Sequence, residues 1–147
     1  MDRRSIRGNW PGAVEDGRGF GGPLVRHEMK HLPFPDGYFD GLVCTNVLHP
    51  GLSEEGRRSF EESGRVVRKG GAALFVVVSD KDHRCETRGK LEVKTYVFTQ
   101  GEEKEIVHHL FGAREFRAAL GGFRIVKLWE ELLPEKTGNR ALYAVAR

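Results

Sequence analysis

Gly70-Gly71-Ala72-Ala73-Leu74-Phe75-Val76-Val77-Val78-Ser79-Asp80 contains the longest apolar run of the chain, Ala72 to Val78, set between a glycine pair and a polar Ser-Asp step. An unbroken apolar run of this length, rich in β-branched residues and bounded by turn formers, fits a strand buried on both faces of a sheet. Just upstream, Ser53 can cap a helix with Glu54 and Glu55 in its first turn. Phe60, Ser63 or Gly64, and Val67 follow at helical spacing. Gly70-Gly71 is expected to stop this helix. Arg65, Arg68 and Lys69 then fall in its last turn, where the partial negative charge of the helix end favours cations, so they read as helix-end charges and not as a binding patch. Further upstream, Phe39 to Thr45 reads as another buried strand around Leu42-Val43-Cys44, and Leu24 to His27 as a short one. Between these two, Pro35-Asp36-Gly37-Tyr38 has the residue order of a tight reversal. Short apolar strands alternating with a helix define an α/β class with a parallel sheet.

From Ser79 to Gly112 the chain is polar and irregular, except that Leu91 to Phe98 alternates as a strand or extended arm does. An insertion of this length is a natural place for substrate specificity. Ala113 to Leu120 reads as a short helix with Phe116, Ala119 and Leu120 on one face, closed by Gly121-Gly122. Phe123 to Trp129 and Ala141 to Ala146 read as strands, and the short connection Glu130 to Arg140 makes them an antiparallel pair. Residues 1 to 23 hold six glycines and two prolines with no apolar period, so they read as a mobile leader before one domain spanning 24 to 147.

The 147 residues suit a single core, and 39% apolar with 31% charged residues excludes a disordered class. A net charge of +3 is too small to imply nucleic-acid binding, which is not expected here. No run approaches the roughly 20 apolar residues needed to cross a bilayer, and Met1-Asp2-Arg3-Arg4 leads into no signal segment. Two cysteines, Cys44 and Cys85, cannot build a disulfide framework. Taken with His49 and His83 they match no zinc spacing, so no metal is expected and a cytoplasmic setting is.

Three blocks in register resemble the class I S-adenosylmethionine-dependent methyltransferases. They are Leu32-Pro33-Phe34-Pro35-Asp36-Gly37-Tyr38-Phe39-Asp40; Leu42-Val43-Cys44 with Asn46-Val47-Leu48-His49; and Gly64-Arg65-Val66-Val67-Arg68-Lys69-Gly70-Gly71 before the apolar strand. The pattern is most similar to the type 11 and tellurite-resistance-like small-molecule enzymes, which also tend to show a stretch like Gly101 to Phe111. The resemblance, from Leu24 to Arg147, implies family strands 3 to 7 of an incomplete Rossmann-like sheet with flanking helices, the last two strands antiparallel. It implies S-adenosylmethionine as cofactor and a small-molecule acceptor. Glu28 matches the family position that accepts from the adenine amine, Met29 the residue packed beside adenine, and Thr45, Asn46 and Leu48 the stretch along the methionine end. Tyr96, His108 and His109 fall in the segment that covers substrate, and adjacent histidines suit proton removal from an acceptor near neutral pH.

Glu28, Thr45-Asn46 and Ser79-Asp80 each follow an expected strand, so all three tips are expected on one sheet rim. The family's glycine-rich turn after its first strand and the acidic residue closing its second have no counterpart. Gly17, Gly19 and Gly22 satisfy G-x-G-x-x-G, yet Pro23 blocks a following helix. In the family order 3-2-1-4-5-7-6, loss of strands 1 and 2 leaves strands 3 and 4 roughly 14 Å apart. Either the Leu24 strand collapses onto the Phe39 strand, or the bare edge of the Phe39 strand pairs with a second copy as a homodimer. The alternative to an enzyme is a truncated, partner-dependent domain acting through self-association.

Overall fold

The computed structural model describes residues 13–14, 24–45, 53–82, 89–92, 94–97, 107–132 and 140–147. Its main sheet has four strands, in the order β3 (Phe39–Thr45), β4 (Val67–Val78), β9 (Arg140–Ala146) and β8 (Ile125–Leu132). β3 and β4 run parallel, and β9 is antiparallel to both β4 and β8. This is the right-hand part of the expected sheet, family strands 4, 5, 7 and 6. The crossover from β3 to β4 is helix α1 (Ser53–Val66), and α2 (Ala113–Ala119) leads into β8.

The two helices pack on one face. Strand alternation puts Cys44, Ala73, Phe75, Val77, Leu142 and Ala144 on that face, and Phe60, Phe116 and Leu120 close over them. Phe75 is fully buried, with Phe60 at 5.6 Å and Phe123 at 5.3 Å between ring centroids. Burial in this layer pushes the Cys44 thiol up to about 11, which leaves it an unreactive packing residue.

Several expectations need correction. Helix α1 ends at Val66 and not at Gly70-Gly71, and β4 starts at once. Phe39 faces Val67 but Gly41 faces Ala72, so the extra residues of β4 bulge out before the regular ladder begins at Ala72. Gly70 takes φ 77°, and a Cβ on Gly71 would lie 2.7 Å from the Val67 side chain and 2.8 Å from the Asp40 carbonyl. The glycine pair serves the bulge. Arg68 therefore leaves the helix end and pairs with Asp40 at 2.6 Å.

The Leu24 strand does not collapse onto the Phe39 strand. β2 (Leu24–Val25) pairs antiparallel with β1 (Ala13–Val14), inside the stretch read as a leader. Leu91 to Phe98 is likewise not one strand. β5 (Gly89–Glu92) and β6 (Thr95–Val97) form a hairpin, and β7 (Val107–His109) adds a third antiparallel strand. Lys94 lies at the turn with φ 61°, a left-handed conformation that costs a lysine on the order of 1 kcal/mol.

The expected reversal at Pro35-Asp36-Gly37-Tyr38 is present, with Gly37 at φ 64° donating its N–H to the Arg65 carbonyl at 2.8 Å. Glu62 and Arg65 of α1 clamp this segment. Glu62 accepts from the Leu32 N–H at 2.8 Å, and Arg65 donates to the carbonyls of Leu32 and Phe34 at 2.9 and 2.7 Å. Arg65 also holds the Glu62 carboxyl down at about 2.

Candidate functional site

At the carboxyl end of β4 the chain from β7 crosses the sheet. Phe111 donates its N–H to the Val78 carbonyl and accepts from the Asp80 N–H, both at 3.0 Å, so that Ser79 and Phe111 form a parallel bridge. The crossing brings the three-stranded sheet, the β4 rim and α2 together. At their junction Lys94 pairs with Asp80 at 3.0 Å and with Glu115 of α2 at 3.2 Å. Glu115 bonds His109 Nε2 through its other oxygen at 2.6 Å, and His109 Nδ1 meets the Thr95 hydroxyl at 3.0 Å.

Electrostatics keep this group charged. Burial pushes the Glu115 carboxyl up, but hydrogen bonds from His109 and Lys94 outweigh it and hold the group below the usual range. The hydrogen bond to Asp80 is the main reason the Lys94 ammonium sits above the usual lysine range. With Glu115 ionised, His109 Nε2 carries a hydrogen and donates it. Nδ1 then accepts from Thr95 when the ring is neutral, and donates to Thr95 when it is protonated. Either form is satisfied.

His109 faces a groove of about 450 Å³ between the first turns of α1 and the end of α2. Phe60 and Phe111 line it, with Gly56, Arg57 and Glu61 on one side and Ala118, Ala119, Gly121 and Gly122 on the other. A few steps along the same rim, Ser79 bonds closely to Glu130, which also pairs with Lys81 at 3.0 Å, and Asp82 accepts from the Arg140 N–H at 2.9 Å.

The two histidines separate. Thr95 is opposite His109 and Tyr96 opposite His108 in the β6–β7 ladder, so the members of the pair project to opposite faces. His109 lines the groove, whereas His108 is 3% exposed on the Tyr96 side. Both cannot face one acceptor from the same side.

A family model described as a methyltransferase domain matches residues 11–75. Solved structures match over most of the chain. A SAM-dependent methyltransferase of Methanosarcina mazei is 23% identical with a TM-score of 0.66, the alignment covering 85% of this chain and 68% of that one. An S-adenosylmethionine-dependent methyltransferase of Clostridium acetobutylicum is 11% identical with a TM-score of 0.66, covering 88% and 65%. The Burkholderia thailandensis 1,6-didemethyltoxoflavin-N1-methyltransferase, solved with 1,6-didemethyltoxoflavin and S-adenosylhomocysteine, is 19% identical with a TM-score of 0.57, covering 81% and 47%. The fold is that of a class I methyltransferase. No curated protein matches the chain.

The methyltransferase match begins at residue 11, thirteen positions before Leu24, so it reaches into the stretch read as a leader. The chain spans between 47% and 68% of the three structures' lengths. Relative to the methyltransferase sheet, the expected cofactor residues are unevenly placed. Thr45 is exposed at the carboxyl end of β3. Asn46 and Leu48, like His49, His83 and Cys85, lie outside the described residues. Met29 is partly buried and packs against the core. The Glu28 side chain is 73% exposed, with Lys30 at 3.6 Å. Glu28 and Met29 follow β2, which belongs to the small β1–β2 sheet, so they do not end a strand of the sheet that carries Thr45 and Ser79.

Sequence reading missed Asp80, Lys94, Thr95 and Glu115 as a set with His109. Glu115 carries a local signal, an acid in the first turn of a helix, but its partners come from 21 and 6 residues away. Among the described residues no cluster of histidine, cysteine and carboxylate side chains could hold a metal, and no helix is long and apolar enough to cross a membrane.

Proposed function

We propose that this chain takes part in S-adenosylmethionine-dependent methyl transfer to a small-molecule acceptor. The supporting observation is the strand order β3-β4-β9-β8 with an antiparallel β8–β9 pair, the carboxyl-terminal part of the methyltransferase sheet. The residues present have the chemistry the cofactor needs. The Glu28 carboxylate is solvent-open and can accept from an amine or hydroxyl, Met29 offers a half-buried apolar contact, and Thr45 stands exposed at the β3 rim where such ligands bind. Asn46 and Leu48 complete the set by resemblance.

When bound, S-adenosylmethionine supplies a methyl group on a sulfonium leaving group, so the protein's task is positioning and proton removal. His109 is the base in this reading. Glu115 holds Nε2–H and balances the charge, and because the Thr95 hydroxyl occupies Nδ1, a proton reaches the ring by way of Thr95, which gives its own hydrogen to Nδ1 as it takes one from the acceptor. Tyr96 and His108 border the acceptor segment from the other face. A cytoplasmic setting goes with this reading.

Calorimetric titration with S-adenosylhomocysteine tests it. Binding with a dissociation constant in the micromolar range is expected, and no heat at about 1 mM ligand overturns it. His109→Gln is expected to lower kcat by on the order of 10²-fold or more with little change in KM.

A second reading, a domain completed by self-association, is favoured by one observation. Among the described residues β3 is bonded on one side only, and its Val43 is 73% exposed. An apolar, proline-free edge is a pairing template, and two copies joined antiparallel through β3 would cover it. Light scattering giving twice the chain mass supports this homodimer, and the mass of one chain rejects it.

A further inference from the structure

We propose that the groove between α1 and α2 binds a flat, uncharged aromatic molecule, and that this is the class of acceptor. The assignment rests on the methyl-transfer reading for what the bound molecule undergoes, not for its binding. At about 450 Å³ the groove is within the range of small-molecule sites. Its floor is aromatic: Phe60 and Phe111 meet edge to face at 6.0 Å, and His109 stands edge to face on Phe111 at 4.8 Å. The far wall, from Ala118 to Gly122, carries no side chain longer than a methyl group among its lining residues, so a planar ligand can lie flat against it.

Charge selects against ions. Each charged group at the mouth already has a partner: Arg57 pairs with Glu54 at 2.7 Å and closely with Glu61, and Glu115 with Lys94 and His109. A charged ligand would have to break one of these pairs or remain uncompensated against the apolar floor, and a neutral one does neither. The polar group that meets the aromatic floor is His109, and its two ring nitrogens are already engaged by Glu115 and Thr95, so the floor asks for no charge either.

Naphthol is a suitable probe, with naphthoate and naphthylmethylamine as its anionic and cationic analogues. Titration into the full chain, followed by NMR shifts, is expected to show naphthol binding with a dissociation constant below about 1 mM and both ions binding at least about tenfold more weakly. Gly122→Phe should fill the groove and weaken naphthol about tenfold or more. A Cβ at Gly122 meets nothing within 4 Å, so the fold should tolerate this change. Ala118→Phe, on the exposed side of α2, repeats the test from the neighbouring turn. No naphthol binding, equal binding of the ions, or unchanged affinity in both filled variants overturns the assignment. Because the probe is titrated without cofactor, naphthol binding together with silent S-adenosylhomocysteine calorimetry would keep the groove and remove the methyl-transfer reading, and the converse would do the opposite.

Discussion

The two faces of the central sheet are built from one apolar run and have different fates. On one, Ala73, Phe75 and Val77 lie under α1 and α2, none more than 2% exposed. On the other, Val76 and Val78 are buried toward the carboxyl end, but Leu74 is only half-buried and its β3 neighbour Val43 is 73% exposed. Continuing across that face, Val145 and Tyr143 are half-buried, and Trp129 stacks on Tyr143 at 5.0 Å with Lys127 over its ring. An apolar residue in a strand states a preference for burial, and a covering element must exist before the preference is met. In this chain the described helices cover one side.

The sharpest way to break this comparison is to hollow the covered face. Phe75→Ala is expected to cost about 3 to 5 kcal/mol, because a fully buried ring surrounded by Phe60 and Phe123 leaves a cavity that rigid neighbours cannot fill. Urea denaturation measures it, and a loss under about 1 kcal/mol would show that the helices do not seal this face. Next in size is the clamp from α1. Glu62→Gln is expected to cost about 2 kcal/mol at neutral pH, through the charged hydrogen bonds to Arg65 and Leu32. The Glu62 carboxyl is lowered from 4.5 to about 2 by folding, so its contribution is complete above pH 4.5 and fades as pH falls through about 2. The wild-type and variant stability curves should converge at that acid end. Smallest is Val43→Lys, expected to shift the stability of a single chain by less than about 0.5 kcal/mol because the side chain already meets water. If the β3 edge joins two copies, the same change should return the light-scattering mass to that of one chain. A large loss of stability in a monomeric Val43→Lys variant would mean that this face is covered after all.

Some elements were legible because their signals are local. Ala72 to Val78 is a strand by composition, Ala113 to Leu120 a helix by period, and the final antiparallel pair follows from a connection too short for a crossover. The misreadings have physical causes. Gly70-Gly71 carries the signal of a helix stop, yet its glycines answer a bulge where the Asp40 carbonyl and Val67 crowd the backbone. Lys94 turns a hairpin in a conformation its residue type disfavours, and its tie to two carboxylates across the fold holds it there. β1 and β2 are two residues each, too short to leave a period. His108 and His109 were visible as candidates, but that they face apart depended on their lying in a strand.

Read alone, the chain determined which residues seek burial, where the backbone turns, and the α/β class with its methyltransferase pattern, because these follow from side-chain type and spacing within about ten neighbours. Tertiary structure decided that Asp80, Lys94, Thr95, His109 and Glu115 form one charged group beside an aromatic groove, and which side of the sheet the helices cover. Those outcomes join residues whose distance along the chain says nothing about their distance in space, and the paired charges hold together only where burial and geometry let each satisfy the next.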